Sequence, residues 1–146
     1  MEVPRAATAR LGLAIFVCTL LLAIVATQWP FHYHLTRFGI GRRWARVDWS
    51  WFPRDHRGHV RLDRDFALNL LMLVPLGVGY GLWRRAPALR RIAESLVLGL
   101  GFSCALELAQ LLTPYRYTSF ADMWRNGLGC MIGCALVVWL MPRATR

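Results

Sequence analysis

Residues 106–133 read LELAQLLTPYRYTSFADMWRNGLGCMIG, and the arrangement of the helices can be inferred from this stretch outward. It joins the end of one apolar segment to the start of the next through a polar turn. Glu107 and Gln110 stand three positions apart, and Asp122 and Asn126 four apart, so each pair shares one helix face. Polar side chains at the ends of two membrane-length segments are energetically expensive. The stretch therefore predicts two helices that bring polar groups together, and these groups are expected to have a functional role.

Apolar blocks along the whole chain predict an all-α fold, a polytopic membrane helix bundle with four transmembrane helices. Of the 146 residues 56% are hydrophobic, and they are concentrated in four blocks near spanning length. The predicted spans are residues 11–28, 66–83, 92–112 and 120–141. The first block also resembles a signal peptide, but it is long for one and lacks a clean small-residue cleavage site. We interpret it as an uncleaved span, and residues 1–146 as one membrane domain.

The basic residues favour a lipid partner over nucleic acid. All eighteen are arginines, the net charge is +10, and they lie between and beside the apolar blocks, where anionic head groups would be. The four cysteines lie inside apolar blocks without metal-ligand spacing, which is typical of small buried hydrophobes. We therefore predict no metal, no cofactor and no nucleic acid as a partner.

Residues 31–64 form one long connection rich in arginine, histidine and tryptophan. The sequence RRWARVDWSWF at 42–52 looks amphipathic and predicts a segment on the membrane surface. Arginine beside tryptophan could also stack on nucleic acid, but the neighbouring spans favour the membrane. The histidine pairs His32/His34 and His56/His59 lack a known ligand spacing, so we interpret them as surface residues.

Four spans place the start of the second, the end of the third and the start of the fourth on one side of the membrane. Pro75 should kink the second span, which membrane helices tolerate. Seven polar residues at these three ends can then converge into a shallow polar pocket: Asp65, Asn69, Glu107, Gln110, Arg116, Asp122 and Asn126.

The arginine-rich short segments suggest an orientation. The N-terminus, residues 84–91 and the tail all fall on the side opposite the pocket, and the positive-inside rule makes that side cytoplasmic. The eight arginines of residues 31–64 point the other way. We expect a multi-pass cell-membrane protein with both termini in the cytoplasm and the pocket on the outer face.

The spacing of these residues resembles that of the VanZ-like membrane proteins. The matching pattern covers residues 65–133 and reads Asp65-x3-Asn69-x5-Pro75-x-Gly77, Glu107-x2-Gln110-x5-Arg116 and Asp122-x3-Asn126-x2-Gly129-x3-Gly133. The chain departs from it at Leu73, where an aromatic residue is usual, and near Ser119, where an acid is frequent. The resemblance implies a small polytopic membrane protein of the cell envelope, in a family named for low-level resistance to the glycopeptide teicoplanin.

Three hypotheses account for the polar set. In a membrane enzyme acting on a lipid or lipid-linked envelope substrate, Glu107 and Asp122 would be the catalytic acid and base. In a binding protein, Arg116, with or without Arg125, would hold an anionic group. The other binding residues would be Asp65, Asn69, Gln110 and Asn126.

In a structural or interaction protein, Glu107 pairs with Arg116, Asp122 pairs with Arg125 or Arg116, and the amides bridge helices. A transporter is disfavoured because the four spans show no inverted repeat. The sequence leaves open whether the protein is an enzyme and which proteins it contacts.

Overall fold

The computed structural model describes residues 5–52, 54, 57, 59–60, 64–114 and 116–141. His56 and the tail at 142–146 lie outside these residues. The helices are α1 (Arg5–Gln28), α2 (Arg37–Trp44), α3 (Arg64–Met72), α4 (Val74–Trp83), α5 (Ala88–Gln110) and α6 (Phe120–Leu140). Within the described ranges the only β pairing is two isolated bridges. Four stretches are long and apolar enough to cross a membrane: Arg5–Gln28, Arg64–Trp83, Ala88–Gln110 and Phe120–Leu140. The predicted all-α bundle with four spans is confirmed.

α1 and α5 begin a helical turn or more before the apolar blocks from which they were predicted. α1 starts at Arg5 and α5 at Ala88, whereas the predicted spans start at 11 and 92. Both extensions are rich in alanine and arginine, which are strong helix formers without being apolar. Apolar composition marks the part of a helix that lies in lipid, and the helix itself continues into the polar region.

The second span is broken at Leu73, where α3 ends and α4 begins. Pro75 is the second residue of α4, so it has no amide hydrogen for the carbonyl of Leu71 and its ring crowds that carbonyl. The amide of Gly77 donates to the Leu73 carbonyl at 3.1 Å, which restarts the helix. Pro75 therefore interrupts the span as expected, and the break falls two residues before it.

Glycines let α6 pack directly against both halves of this span. A Cβ atom on Gly77 would lie 1.8 Å from the carbonyl oxygen of Cys130. Cβ atoms on Gly129 and Gly133 would lie 1.9 Å and 2.0 Å from the carbonyl oxygens of Leu70 and Val74. Backbones this close exclude any side chain, so the glycine spacing along α6 defines the packing face.

The two halves of the broken span have different neighbours. α4 packs along both α1 and α6, whereas α3 packs mainly against α6. The contact between α1 and α4 is close, because a Cβ atom on Gly79 would lie 2.5 Å from the amide nitrogen of Phe16. At its far end α1 reaches α5, where the buried Gln28 amide donates to the Leu106 carbonyl at 3.1 Å. The half of the second span before Leu73, which is α3, is therefore not packed along α1.

The long connection folds back on the turn between α5 and α6. The His34 amide donates to the Leu112 carbonyl at 2.7 Å, and the Arg43 guanidinium donates to the Leu111 carbonyl. Asp48 pairs with the backbone around Ser119 as an isolated parallel bridge. Only part of the RRWARVDWSWF segment is helical, because α2 ends at Trp44 and the next residues extend to make this pairing.

The cysteines divide into two pairs. Cys130 and Cys134 are buried on α6, as expected of small hydrophobes. Cys18 is exposed on α1, and Cys104 is half-buried. The interpretation of all four as buried was therefore too broad, since a helix in lipid presents apolar residues on its outer face as well.

Candidate functional site

A cavity of about 600 Å³ opens at the end of the bundle where α3 begins, α5 ends and α6 begins. All seven residues that the sequence predicted to converge line it. The other lining residues are Thr27, Asp48, Leu68, Met72, Leu106, Tyr117, Thr118, Ser119 and Arg125. The shared cavity follows from the chain's alternation across the membrane, which puts these helix ends on one side.

Glu107 lies at the inner wall of the cavity and is only 4% exposed. Its Oε2 accepts a hydrogen bond from the Ser119 amide at 3.0 Å, and its backbone carbonyl accepts one from the Thr118 hydroxyl at 3.1 Å. The turn after α5 is thus folded over the carboxyl group. The suggested ion pair between Glu107 and Arg116 is absent from the contacts of the described residues. Arg116 is exposed and donates to the Ala26 carbonyl at 3.4 Å.

Asp122 is paired with Arg125, as the structural hypothesis suggested. Arg125 Nη1 lies 3.2 Å from Asp122 Oδ1, one helical turn away. The guanidinium lies over the rings of Phe66 and Trp124, with its carbon 4.7 Å and 5.6 Å from their centroids. Its Nε and Nη2 are buried with no hydrogen-bond partner among the residues described. The aromatic faces supply the attraction those nitrogens lack, so Arg125 serves as counter-ion to Asp122.

The amide side chains have different roles. Asn126 is buried and donates to the Ser103 hydroxyl at 2.9 Å, which ties α6 to α5. Asn69 hydrogen-bonds to Asp122 and so ties α3 to α6. Gln110 lines the cavity, and its backbone carbonyl accepts the Thr113 hydroxyl at 2.8 Å. Two of the three amides therefore bridge helices.

Carboxylates outnumber guanidinium groups around the cavity. The acids are Asp48, Asp65, Glu107 and Asp122, and the bases are Arg116 and Arg125. Asp122 lies within electrostatic range of both Glu107 and Asp65. Since Arg125 neutralises Asp122, the only other arginine among the described lining residues is the exposed Arg116. In the described part of the chain, no three Asp, Glu, His or Cys side chains are grouped as a metal site would require.

Comparison with protein families identifies the architecture. The VanZ/LLP1 family model matches residues 11–141.

This chain belongs to the VanZ/LLP1 family.

The match extends well beyond the 65–133 pattern and includes α1 and the long connection. No curated protein and no solved structure matches the chain. With four candidate spans, this VanZ/LLP1 protein is a multi-pass membrane protein.

Some cavity residues of this VanZ/LLP1 protein escaped the sequence analysis. Asp48 comes from the long connection, where its amide donates to the Thr118 carbonyl at 3.1 Å and its carbonyl accepts the Phe120 amide at 2.8 Å. Trp51 packs edge-on against Phe120, with ring centroids 4.7 Å apart. The loop thus forms part of the cavity wall. Backbone pairing over such a sequence distance leaves no local motif that could have revealed it.

The opposite end of this VanZ/LLP1 bundle holds a second polar cluster, centred on the hydrogen bonds that Glu94 accepts. Glu94 accepts hydrogen bonds from Tyr80 at 2.5 Å, Arg84 at 3.0 Å and Arg90 at 2.8 Å. Hydrogen bonds to Glu94 and Tyr80 raise the pKa of Arg84, which lies just beyond the end of α4. Arg91 is buried beside this cluster and donates to the Gly81 carbonyl at 2.8 Å.

Proposed function

We propose that this protein binds a polar ligand of the cell envelope in the cavity, on the extracytoplasmic face of the membrane. The observation that carries the proposal is the surplus of carboxylates around an open volume of about 600 Å³. Intramembrane ionisable groups are costly and usually functional. A purely structural cluster needs no such volume, because its groups satisfy one another directly.

The cavity chemistry indicates what the ligand offers. Glu107 uses Oε2 for the Ser119 amide, and its Oε1 accepts no hydrogen bond among the described residues. A carboxylate oxygen accepts from amines and hydroxyls. An ammonium or polyhydroxyl group therefore fits the inner cavity, whereas an anionic group fits Arg116 at the rim. A ligand with both is better matched than the purely anionic ligand suggested by the arginine alone.

The binding test compares two carboxylates in different surroundings. The protein and its Glu107→Gln and Glu94→Gln variants are purified from membranes under mild conditions, and co-purified small molecules are identified by native mass spectrometry. We expect a retained species that Glu107→Gln loses and Glu94→Gln keeps, with comparable accumulation of all three in the membrane. Loss from both variants, or from neither, would reject the cavity as the binding site.

A side-specific labelling experiment tests the orientation. Single cysteines replace Ser119 and Ala88 in a background without the four native cysteines. Ser119 lies at the cavity, and Ala88 begins α5 at the other end of the bundle. We expect an impermeant thiol reagent to label position 119 in intact cells and position 88 only after permeabilisation. The reverse pattern would place the termini outside and the cavity in the cytoplasm.

Catalysis is the second candidate function, favoured by the unlike surroundings of the buried Glu107 carboxyl group and the half-buried Asp122 carboxyl group. Glu107 accepts a backbone amide, whereas Asp122 is neutralised by Arg125. Unlike environments are what separates an acid from a base in a catalytic pair. The test is conversion of membrane lipid extract, followed by chromatography and mass spectrometry. If the protein is an enzyme, the Asp122→Asn variant should lose turnover but keep ligand binding. If the unmodified protein converts no lipid, catalysis is rejected and ligand binding remains the proposed function.

Glycopeptide resistance is proposed only through the family name. Expression in a teicoplanin-sensitive Gram-positive host should decrease susceptibility if the role extends to this member, and Glu107→Gln should abolish the effect at equal accumulation. Unchanged susceptibility on expression of the unmodified protein would reject the resistance role, while leaving ligand binding to the direct measurement above.

A further inference from the structure

On one side the cavity is bordered by α1 and α3, two helices that make little direct contact with each other. Thr27 near the end of α1 and Leu68 on α3 both line the cavity. Leu68 is also 51% exposed, although it belongs to a membrane-length span. Together with the scarce contact between α1 and α3, this exposure indicates that no other described helix covers the cavity at this position. We call the space between Thr27 and Leu68 the lateral opening.

The packing of the bundle holds the lateral opening in place. α4 is locked to α1 by the close approach at Gly79, whereas α3 is locked to α6 by the contact of Gly129 with Leu70. The end of α1 is tied to α5 through Gln28. α1 and α3 are thus each held by other helices and not by each other. The second span departs from α1 at the break at Leu73.

The cavity changes from polar to apolar along α3. Asp65, Leu68, Asn69 and Met72 share one helical face and all line it. Asp65 stands at the start of the span, and Met72 packs against the hydrophobic core. A membrane lipid has the same order of chemistry along its length, from headgroup to acyl chain. A soluble ligand would have no use for the apolar lining at Leu68 and Met72 or for an opening toward lipid.

The excess of carboxylates selects among headgroups. Asp65 and Glu107 stand near the charge of Asp122, and Arg125 neutralises only one of these three groups. Another anion deep in the cavity would meet repulsion, whereas an ammonium group would complete the ion pairs. A phosphate attached to that ammonium group would lie toward the rim, where Arg116 is exposed.

We propose that the ligand is a membrane lipid with an amine-bearing headgroup, which enters sideways through the lateral opening. The headgroup lies among the carboxylates, and the acyl chain leaves past Leu68 into the bilayer. The inference rests on the proposed function, since it specifies the ligand and route of the same cavity.

Site-specific photo-crosslinking tests the route. A photoreactive benzophenone side chain replaces Leu68 in one variant and Leu71 in the control. Leu71 is on the same helix and 60% exposed, but it does not line the cavity. Each variant is reconstituted in nanodiscs that contain equal amounts of phosphatidylethanolamine and phosphatidylglycerol, irradiated and analysed by mass spectrometry.

At position 68 we expect crosslinked phosphatidylethanolamine to exceed crosslinked phosphatidylglycerol about tenfold. One extra hydrogen bond to a charged group provides a difference in affinity of about this size. At position 71 both lipids should react in proportion to their amounts. Adding Glu107→Gln should remove the enrichment at 68. A photoreactive group at Thr27, across the opening, repeats the measurement should the Leu68 variant fail to accumulate. Equal lipid composition at 68, 27 and 71 would overturn the sideways route.

A soluble headgroup separates failure of the route from failure of the site. Glycerophosphoethanolamine is titrated into the protein and its Glu107→Gln variant, and binding is measured by calorimetry. Binding that depends on Glu107 together with equal crosslinking at 68 and 71 means that the cavity takes a soluble ligand, so the lateral route is rejected and the proposed function stands. If neither the soluble headgroup nor the lipid distinguishes Glu107→Gln, both proposals are wrong.

Discussion

The two ends of the bundle both gather charged side chains, but they use them differently. At one end Glu94 accepts hydrogen bonds from Tyr80, Arg84 and Arg90, so one carboxylate satisfies three donors. At the other end acids and bases surround an open volume, and Glu107 is held by a backbone amide. Composition alone does not distinguish these ends. The distinguishing feature is whether the helices close together or separate.

Helix separation has an identifiable cause in this chain. Glycines on α1, α4 and α6 allow close backbone contact between these helices and their neighbours, whereas the break at Leu73 leaves α3, the half of the second span at the cavity, with little contact to α1. A polar cluster in a membrane bundle therefore becomes a candidate site when a helix break leaves room beside it. The following predictions test this contrast between the end around Glu94, where the helices close together, and the cavity end around Glu107.

The largest effect should come from Gly77→Ala, because its Cβ would overlap the backbone of Cys130. Overpacking of this kind should destabilise the fold by ~3 kcal/mol. The readouts are accumulation in membranes and thermal unfolding in detergent. Gly101→Ala is the matched control, since nothing lies within 4 Å of its Cβ position. A Gly77 variant as stable as the Gly101 variant would show that the helices can separate without loss.

A smaller effect is expected from Asp122→Asn at the cavity end. It leaves the buried Arg125 guanidinium without its half-buried counter-ion and should lower stability by about 2 kcal/mol, the loss expected for one hydrogen bond between charged groups. Glu107→Gln should lower stability by less than about 1 kcal/mol, because its carboxyl group has no ionic partner among the described residues and an amide oxygen can still accept the Ser119 amide. Thermal unfolding of the two variants measures both effects. Equal losses would mean that the two carboxyl groups have the same structural role.

The smallest effect should distinguish two buried serines on α5. Ser103→Ala removes the hydrogen bond from Asn126 and should cost ~1 kcal/mol, the range found for such bonds in membranes. The Ser95 hydroxyl donates to the Ile92 carbonyl of its own helix at 2.8 Å, so Ser95→Ala should cost less. Chemical denaturation in mixed micelles compares them, and a larger loss for Ser95→Ala would contradict the assigned roles.

The sequence was sufficient to predict that seven of the polar residues at the cavity meet at one end of the bundle. Apolar blocks defined four spans, and alternation across the membrane then required Asp65, Glu107 and Asp122 to lie on one side. Their convergence did not depend on helix boundaries, which the structure moved by several residues. It did not depend on orientation either. This part of the architecture follows from simple counting.

Other features depend on positions that no local pattern encodes. Asp48 reaches the cavity through main-chain pairing with residues far along the chain, and main-chain groups are the same in every residue. The sequence left Arg125 and Arg116 open as partners of Asp122, and the structure pairs Asp122 with Arg125. Pro75 predicted a break, but the separation of α1 from α3 depends on which neighbour each half contacts.

The break at Leu73 also makes α3 a short lever. Its nine residues span about 13 Å at 1.5 Å per residue. A tilt of ~10° about Leu73 would displace the Asp65 end by about 2 Å while α4 stays locked to α1 and α6. Such a displacement is comparable to the radius of a methylene group. Because the Leu70 carbonyl lies against Gly129 of α6, such a tilt would carry α3 along the surface of α6, so the width of the lateral opening depends on how α3 lies against α6.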